Sequence, residues 1–566
     1  MNNQLRIALA ALVGTGVAAA AIILPQDDRG SADRSPNQRT RPANPGGTDT
    51  DPGGPKSAPK AAAVFPTEFR TIDGVGNNGQ HPEWGAAGEP FLRLAAADYG
   101  DGAHTPAGAH RPSARAISNH VASQTQPMPN PAGASDYLWM WGQFLDHDLT
   151  ETPVAAPPEA FDIQVPSGDT WFDPGATGTA TIPLERSSYD TVAGVRQQVN
   201  LITAFIDASN VYGSEPARAA ELRTLDGTGR LKTSAGDLLP FNVNGFHNAG
   251  GSDPTLFLAG DIRANEQVAL TAMHTLFVRE HNHWADRIGA LGSLPGDTIY
   301  ELARAIVAAE MQAITYREFL PLLLGADALP AYQGYDDQVD PTIANEFAAA
   351  GYRFGHTMLS PTLLRVQRDG STHAAGHLPL AQAFFDPSKL TSIGVEPYLR
   401  GLSRQRAQTI DPFLVDDVRN MLFGPPGAGG FDLAALNLQR GRDHGLASYN
   451  DLRQALGLPR AQTWGDISSS REVQTCLKTA YANVDDIDAW MGLLCEDHAP
   501  GAMVGPTLRA LFVDQFRRLR DGDRFWYTSY LPPVMAQFVE KQTLAQIIRR
   551  NTGIAGELQD DVFRAR

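Results

Sequence analysis

The stretch WGQFLDHDLTETP, residues 141–153, sets a histidine between two aspartates: Asp146, His147 and Asp148. Acid and imidazole side chains this close together suggest a metal site. Apolar residues recur at helical spacing just upstream (Leu138, Trp141, Leu145, Leu149), which places the run at or near a helix end. Neighbours on a helix diverge by about 100°, and only residues three or four apart share a face. One small ion therefore cannot bind all three while the helix is intact. They address at least two different things, or they cap and salt-bridge the helix end.

Working outward, LITAFIDASNVYGS sets Thr203, Phe205, Asp207 and Ser209 two apart. An extended chain would aim them to one side. Hydroxyl, carboxylate and carbonyl oxygens together suit Ca²⁺, which takes six to eight hard ligands; a turn before a helix is the plainer alternative. In LAGDIRANEQVALTAMHTLFVREHNHW, Arg263 and Glu266 sit three apart at the start of a long amphipathic helix. The His281, Asn282, His283 run in it has the letters of a nuclease motif, but contiguous helical residues point apart. GYRFGHTMLS carries His356 on an apolar helical face with Arg353 one turn earlier, and LAALNLQRGRDHG sets Asn437 in an apolar turn before a charged loop.

The chain of 566 residues is 42% hydrophobic and 19% charged, ordinary for a soluble protein with a large core. A formal charge of −17 argues against a nucleic-acid surface. Cys476 and Cys495 are the only cysteines. They exclude a disulfide-dense scaffold and a Cys-ligated zinc module, and leave one bridge or two free thiols open. Residues 7–24 are apolar or small after MNNQLR, which reads as a signal peptide or signal anchor, with cleavage and anchoring both open. Residues 25–64 turn to Pro, Gly, Asp and Ser and read as a disordered spacer. The expected product is exported, either secreted or held at the cell surface or periplasm by a membrane tether.

From residue 65 to 566 no second break or repeat occurs. Helical periodicity covers 136–149, 267–291, 297–320, 342–358, 411–422 and 505–520, separated by long Gly/Pro-rich loops such as 153–188 and 423–432. The expected fold is mainly α, one large helical domain with few short strands.

In order, WGQFLDHDLTETP, TAFIDASNVYGS, FLAGDIRANE, MHTLFVREHN, YRFGHT and LNLQRGRDHG resemble the animal-type haem peroxidase superfamily, over about residues 68–560. The leader and the sparse cysteines are closest to a bacterial, peroxinectin-like member. The resemblance implies haem b, with His147 as distal histidine, Arg263 as distal arginine and Gln143 lining the small-substrate pocket. It implies His356 as the proximal iron ligand, Asn437 as the acceptor of its hydrogen bond, and Arg353 near a propionate. Asp146 and Glu266 correspond to acids that can esterify the haem. Asp148, Thr203, Phe205 through its carbonyl, Asp207 and Ser209 correspond to calcium ligands.

The implied reaction reduces hydrogen peroxide, forms a ferryl haem, and oxidises bromide, iodide, thiocyanate or phenols. His147 moves the proton and Arg263 stabilises charge on the leaving oxygen. Where the most oxidising members have a methionine bonded to a haem vinyl, this chain has Gln267; little chloride oxidation is expected. Two rivals were weighed. A fatty-acid dioxygenase needs a radical tyrosine, and no matching tyrosine motif surrounds residues 351–360. An adhesion or haem-binding surface module has no identifying short motif.

Overall fold

Helices built on the expected periodicities frame the site in the computed structural model, which describes residues 65–427 and 430–566. Pro66–Arg566 forms one compact unit. The expected leader and spacer, residues 1–24 and 25–64, fall outside the described residues. Among the described residues, no helix is long and apolar enough to cross a membrane.

The helices that matter here are α1 (Ala114–Val121), α2 (Tyr137–Leu149), α3 (Ser209–Tyr212), α4 (Val268–Gly289), α5 (Gly296–Ile314), α6 (Leu433–Asp443) and α7 (Pro506–Asp521). Strands are few and short. Ile163–Gln164 pairs with Thr181–Ile182, Tyr189–Val192 with Val195–Gln198, and Thr362–Leu363 with Leu378–Pro379, all antiparallel.

Helix α2 is apolar nearly all round, so it can only be stable inside the protein. Its Trp141 and Phe144 rest on Phe277 of α4, with ring centroids 5.8 and 4.9 Å apart. That contact fixes α2 along α4 and leaves the C-terminal turn of α2, with Asp146, His147 and Asp148, beside the loop that enters α4. Gln267 starts α4 as its N-cap, its side-chain oxygen accepting from the Ala269 N–H.

Four expectations needed correction. Helix α5 does not run on to Leu320 as a regular helix; Thr315–Phe319 widens into a π-turn. Pro321 has no N–H to return to the Arg317 carbonyl, which accounts for the local change. The single helix over 342–358 is two pieces, Asn345–Ala349 and a 3-10 helix, Gly351–Met358, broken at Ala350. Gly351 allows the close approach there, because a Cβ would lie 2.6 Å from Leu511 of α7. Of 411–422 only Asp416–Arg419 is helical, since Pro412 biases Asp411 away from the helical region. Conversely, the turn expected around Asn437 is continuous helix α6, which runs through Gly441.

Helix α1 is held to the loop before α6 by a buried cation. Arg115, 1% exposed, donates to both oxygens of Asp169 at 2.7 and 3.1 Å and to Asp432 at 2.7 Å. Replacing it with methionine keeps most of the volume but leaves two buried carboxylates without their cation. Arg115→Met is expected to destabilise the fold by about 3–5 kcal/mol, read as a lower midpoint in chemical denaturation of the purified protein.

Candidate active site

A cavity of about 710 Å³ opens between α2 and the 3-10 helix, within the usual size range of cofactor pockets. One wall carries Gln143, Asp146, Arg263, Glu266 and Gln267; the facing wall carries Arg353, His356, Leu433, Leu436 and Arg440. The final turn of α2 sends its three consecutive polar residues to different neighbours, as helix geometry requires.

Asp146 lines the cavity and accepts from the Thr150 hydroxyl at 2.9 Å. His147 sits behind the wall, 3% exposed, with Nε2 3.9 Å from Glu266 Oε2 and Nδ1 3.4 Å from Asp261 Oδ1. Burial first, and then the Arg263 charge, hold His147 well below the usual imidazole range, so it is neutral. Asp148 points away from the cavity. Its Oδ2 accepts from the backbone of Asp207 and Ala208, and its Oδ1 from the Ser209 hydroxyl and the Asn210 backbone, at 2.9–3.3 Å.

The 203–209 segment is not the extended strand that the two-residue spacing suggested. It is a run of bends, with Ala208 left-handed at φ 64° before α3 begins at Ser209. Thr203 and Asp207 nevertheless meet, the hydroxyl donating to Asp207 Oδ1 at 3.0 Å. The Phe205 ring covers Gly85 and lies 4.6 Å from the Arg70 guanidinium. Burial and the adjacent Asp207 carboxylate push Asp148 up, and burial pushes Asp207 up. Asp207 Oδ2 is buried without a hydrogen bond and only 3.7 Å from Arg70 Nε. Two carboxylates crowded among hydroxyls, one oxygen unpartnered, fit a hard cation. No group of three or more His, Cys, Asp or Glu side chains gathers as a metal cluster among the described residues. Hydroxyl and carbonyl oxygens would therefore have to complete that set.

Arg263 extends from the loop before α4. Its Nε and Nη2 donate to Asp261 at 2.9 and 2.7 Å, Nη2 also reaches the Thr150 carbonyl at 2.8 Å, and Nη1 lies 3.8 Å from Asp146. Glu266 is pushed up to about 7, first by burial and then, against the pull of Arg263, by Asp261 and Asp146. The amide of Gln267 donates to Gln143 Oε1 at 3.2 Å and lies 3.7 Å from Met140 Sδ.

Across the cavity, burial and Arg353 push His356 down to about 3, so it is a neutral imidazole. Its Nδ1 lies 2.8 Å from Asn437 Nδ2, while Asn437 Oδ1 accepts from Arg353 at 3.1 Å. The pairing of His356 with Asn437 was expected, but with the amide the other way round. A neutral histidine that uses Nε2 as a ligand carries its proton on Nδ1 and needs an acceptor. Exchanging the two ends of the Asn437 amide supplies one, and frees Arg353 to face a different anion. Amide orientation is set by such networks rather than by shape.

Two residues were missed in the sequence. Asp261 lies two positions before Arg263 in the quoted FLAGDIRANE, and the acid beside an isolated cation was its only signal. Tyr352, beside Arg353, lines the same cavity with its buried hydroxyl unpartnered. The His281, Asn282, His283 run does diverge: His281 bonds to the Tyr212 hydroxyl and the Gly229 carbonyl, Asn282 to the Leu231 backbone, and His283 accepts from Arg287.

Comparison with known proteins agrees with this geometry. A family model described as animal haem peroxidase matches residues 69–563. Peroxinectin A of Dictyostelium discoideum is 38% identical over 517 residues, covering 88% of this chain and 96% of that protein. The solved structure of peroxidase A from the same organism superposes with a TM-score of 0.82 at 36% identity, covering 88% of this chain and all of the other. A fatty acid alpha-dioxygenase of Arabidopsis thaliana superposes at 0.75 over 88% of this chain and 83% of its own, but at 19% identity, which shows the shared fold alone. The mainly helical architecture is that of these enzymes, and the chain belongs to the animal haem peroxidase family as a peroxidase.

Proposed function

We propose that the chain reduces hydrogen peroxide with His147 and Arg263, and passes the oxidising equivalents to small donors such as iodide, bromide, thiocyanate and phenols. The observation that carries this reading is a buried neutral imidazole, His147, just behind the wall that carries Arg263, the two joined through Asp261, with a second neutral imidazole, His356, on the facing wall.

His356 would hold the haem iron through Nε2, with Asn437 as the acceptor at Nδ1 and Arg353 turned to a propionate. The haem supplies the iron at which the peroxide O–O bond breaks, and stores the two oxidising equivalents. His147 takes a proton from one peroxide oxygen and returns it to the other, which leaves as water. Arg263 stabilises the negative charge growing on that leaving oxygen, and it stays charged because Asp261 offsets the cost of its burial. Gln143, on the cavity wall with its oxygen held by Gln267, faces the small donor.

Asp146 and Glu266 are the two carboxyls on the distal wall, and they are the acids that would esterify the haem. Their burial favours the neutral carboxyl form. Gln267 has no thioether and is engaged as an N-cap, so a sulfonium link at that position is excluded by chemistry. Asp148, Thr203, Asp207 and Ser209, with the Phe205 carbonyl, would hold Ca²⁺ behind the distal helix. Export is inferred from residues 1–24 alone.

Four outcomes test the reading. Holoprotein with peroxide should oxidise iodide, bromide, thiocyanate and phenols but little chloride near neutral pH. His147→Ala should slow the peroxide step by about 10²–10⁴-fold in stopped-flow spectra, and an unchanged rate would refute His147 as the base. Removing Ca²⁺ with a chelator should lower both the melting temperature and the peroxide rate, with recovery when Ca²⁺ is returned. Mass analysis after denaturation should find haem attached to peptides containing Asp146 and Glu266, and less of it in Glu266→Gln.

A further inference from the structure

Asp261 has so far entered only as the acid that offsets the burial of Arg263. It is 2% exposed. Its Oδ1 accepts from the Arg263 N–H at 2.8 Å and from Arg263 Nε at 2.9 Å, and its Oδ2 accepts from Nη2 at 2.7 Å. The same Oδ1 lies 3.4 Å from His147 Nδ1, which has no hydrogen-bond partner of its own. We infer that Asp261 is a positioning residue that serves both peroxide-handling groups at once: it clamps Arg263 and fixes the tautomer and direction of the His147 ring. This inference rests on the assignment of His147 and Arg263 to the peroxide step.

A two-point carboxylate–guanidinium pair fixes the plane of the guanidinium as well as its position. With Nε and Nη2 tied to Asp261, only Nη1 is left to reach across the cavity, and it already points towards Asp146. At His147 the Oδ1 of Asp261 is the near acceptor for a proton on Nδ1. A proton held there leaves the lone pair of Nε2 as the basic site, and the adjacent negative charge stabilises the imidazolium that forms when Nε2 takes a proton. The carboxylate is itself placed by the chain behind it. Its N–H donates to the Asn210 carbonyl at 2.9 Å. The preceding Gly260 is pressed so closely on α3 that a Cβ would lie 2.4 Å from the Ser209 carbonyl. A merely structural partner for Arg263 would not need its second face turned to the imidazole.

Asp261 stays ionised in spite of burial, because the Arg263 guanidinium, by its charge and its hydrogen bonds, outweighs the burial cost. His274 of α4 is the other imidazole in range, with its ring 6.4 Å from that of His147 and both nitrogens buried without partners. It cannot replace Asp261 as an anionic partner.

Asp261→Asn keeps the shape and removes the charge and one acceptor. Cyanide is the probe, because it arrives as a neutral acid, gives its proton to the distal base and is held as an anion. In haem-loaded Asp261→Asn, cyanide affinity read by Soret titration should fall by about 10–100-fold, and the peroxide rate constant should fall with it. Donor oxidation after the peroxide step should be unchanged. Asp261→Glu keeps a charge in the buried site, and so serves if the amide variant does not take up haem; it should lose part of the same affinity. Cyanide affinity and peroxide rate within twofold of wild type, in either folded variant, would overturn the inference. So would an equal loss in Asp169→Asn, which breaks a buried Arg–Asp pair outside the cavity. His147→Ala run alongside separates the two ideas. A loss there without a loss at Asp261 sinks only the positioning role, and no loss at His147 sinks the assignment beneath it.

Discussion

One buried carboxylate, Asp148, ties the C-terminal turn of α2 to the start of α3, and the cavity wall is arranged around that tie. Four donors from consecutive residues 207–210 converge on its two oxygens. A carboxylate with that many donors restricts both the rotation and the slide of the turn that carries it. His147, the next residue back, inherits the restriction. On the other side of α3, Gly260 lies against the Ser209 carbonyl and the Asp261 N–H bonds to Asn210. His147 and Arg263, on separate parts of the chain, thus take their positions from one short segment. A small rearrangement at Asp207 or Ser209 would move the imidazole and the guanidinium together, so the spacing between them is better protected than either position alone.

The long periodic segments were legible in the sequence because burial on one or more faces of a helix leaves a strong pattern. The 137–149, 268–289 and 506–521 helices match their expected spans to within two residues. The misses fall where tertiary contact, rather than pattern, sets the backbone. The apolar run over 342–358 has good helical spacing, but Gly351 is drawn against Leu511 and the chain changes to a 3-10 helix. Over 411–422 a proline and local turns outweigh the periodicity. Around Asn437 the glycines were read as breakers, whereas the α6 core is continuous enough to carry Gly441 inside the helix.

The candidate site divides in the same way. Divergence of Asp146, His147 and Asp148 follows from helix geometry alone, and the three do face different neighbours. Which neighbours these are could not be read from spacing. The two-residue rhythm at 203–209 suggested a strand, yet the segment bends, and Asp207 and Ser209 reach Asp148 because Ala208 adopts a left-handed conformation. Asp261 was invisible for a different reason. A lone aspartate after glycine has the composition of any turn, and only the fold shows that both its oxygens hold a guanidinium while one of them also lies beside an imidazole.

The two walls of the cavity also differ in charge, and this bears on what can sit between them. On the α2 side the Arg263 charge is matched by the ionised Asp261, and burial favours the neutral form of Asp146, Glu151 and Glu266, whereas the facing side presents Arg353 and Arg440. Such a difference acts across the whole cavity, because protein walls screen charge less than bulk water does. It favours a ligand whose anionic groups lie towards Arg353 and Arg440 and whose neutral or electron-poor face lies towards the acids. The orientation of Asn437 is part of the same balance. While its oxygen is occupied by Arg353, it offers His356 only an N–H. An anion that drew Arg353 away would free that oxygen, and the amide would then be able to turn and accept from Nδ1 of His356, so the two contacts of Asn437 are coupled through one side chain.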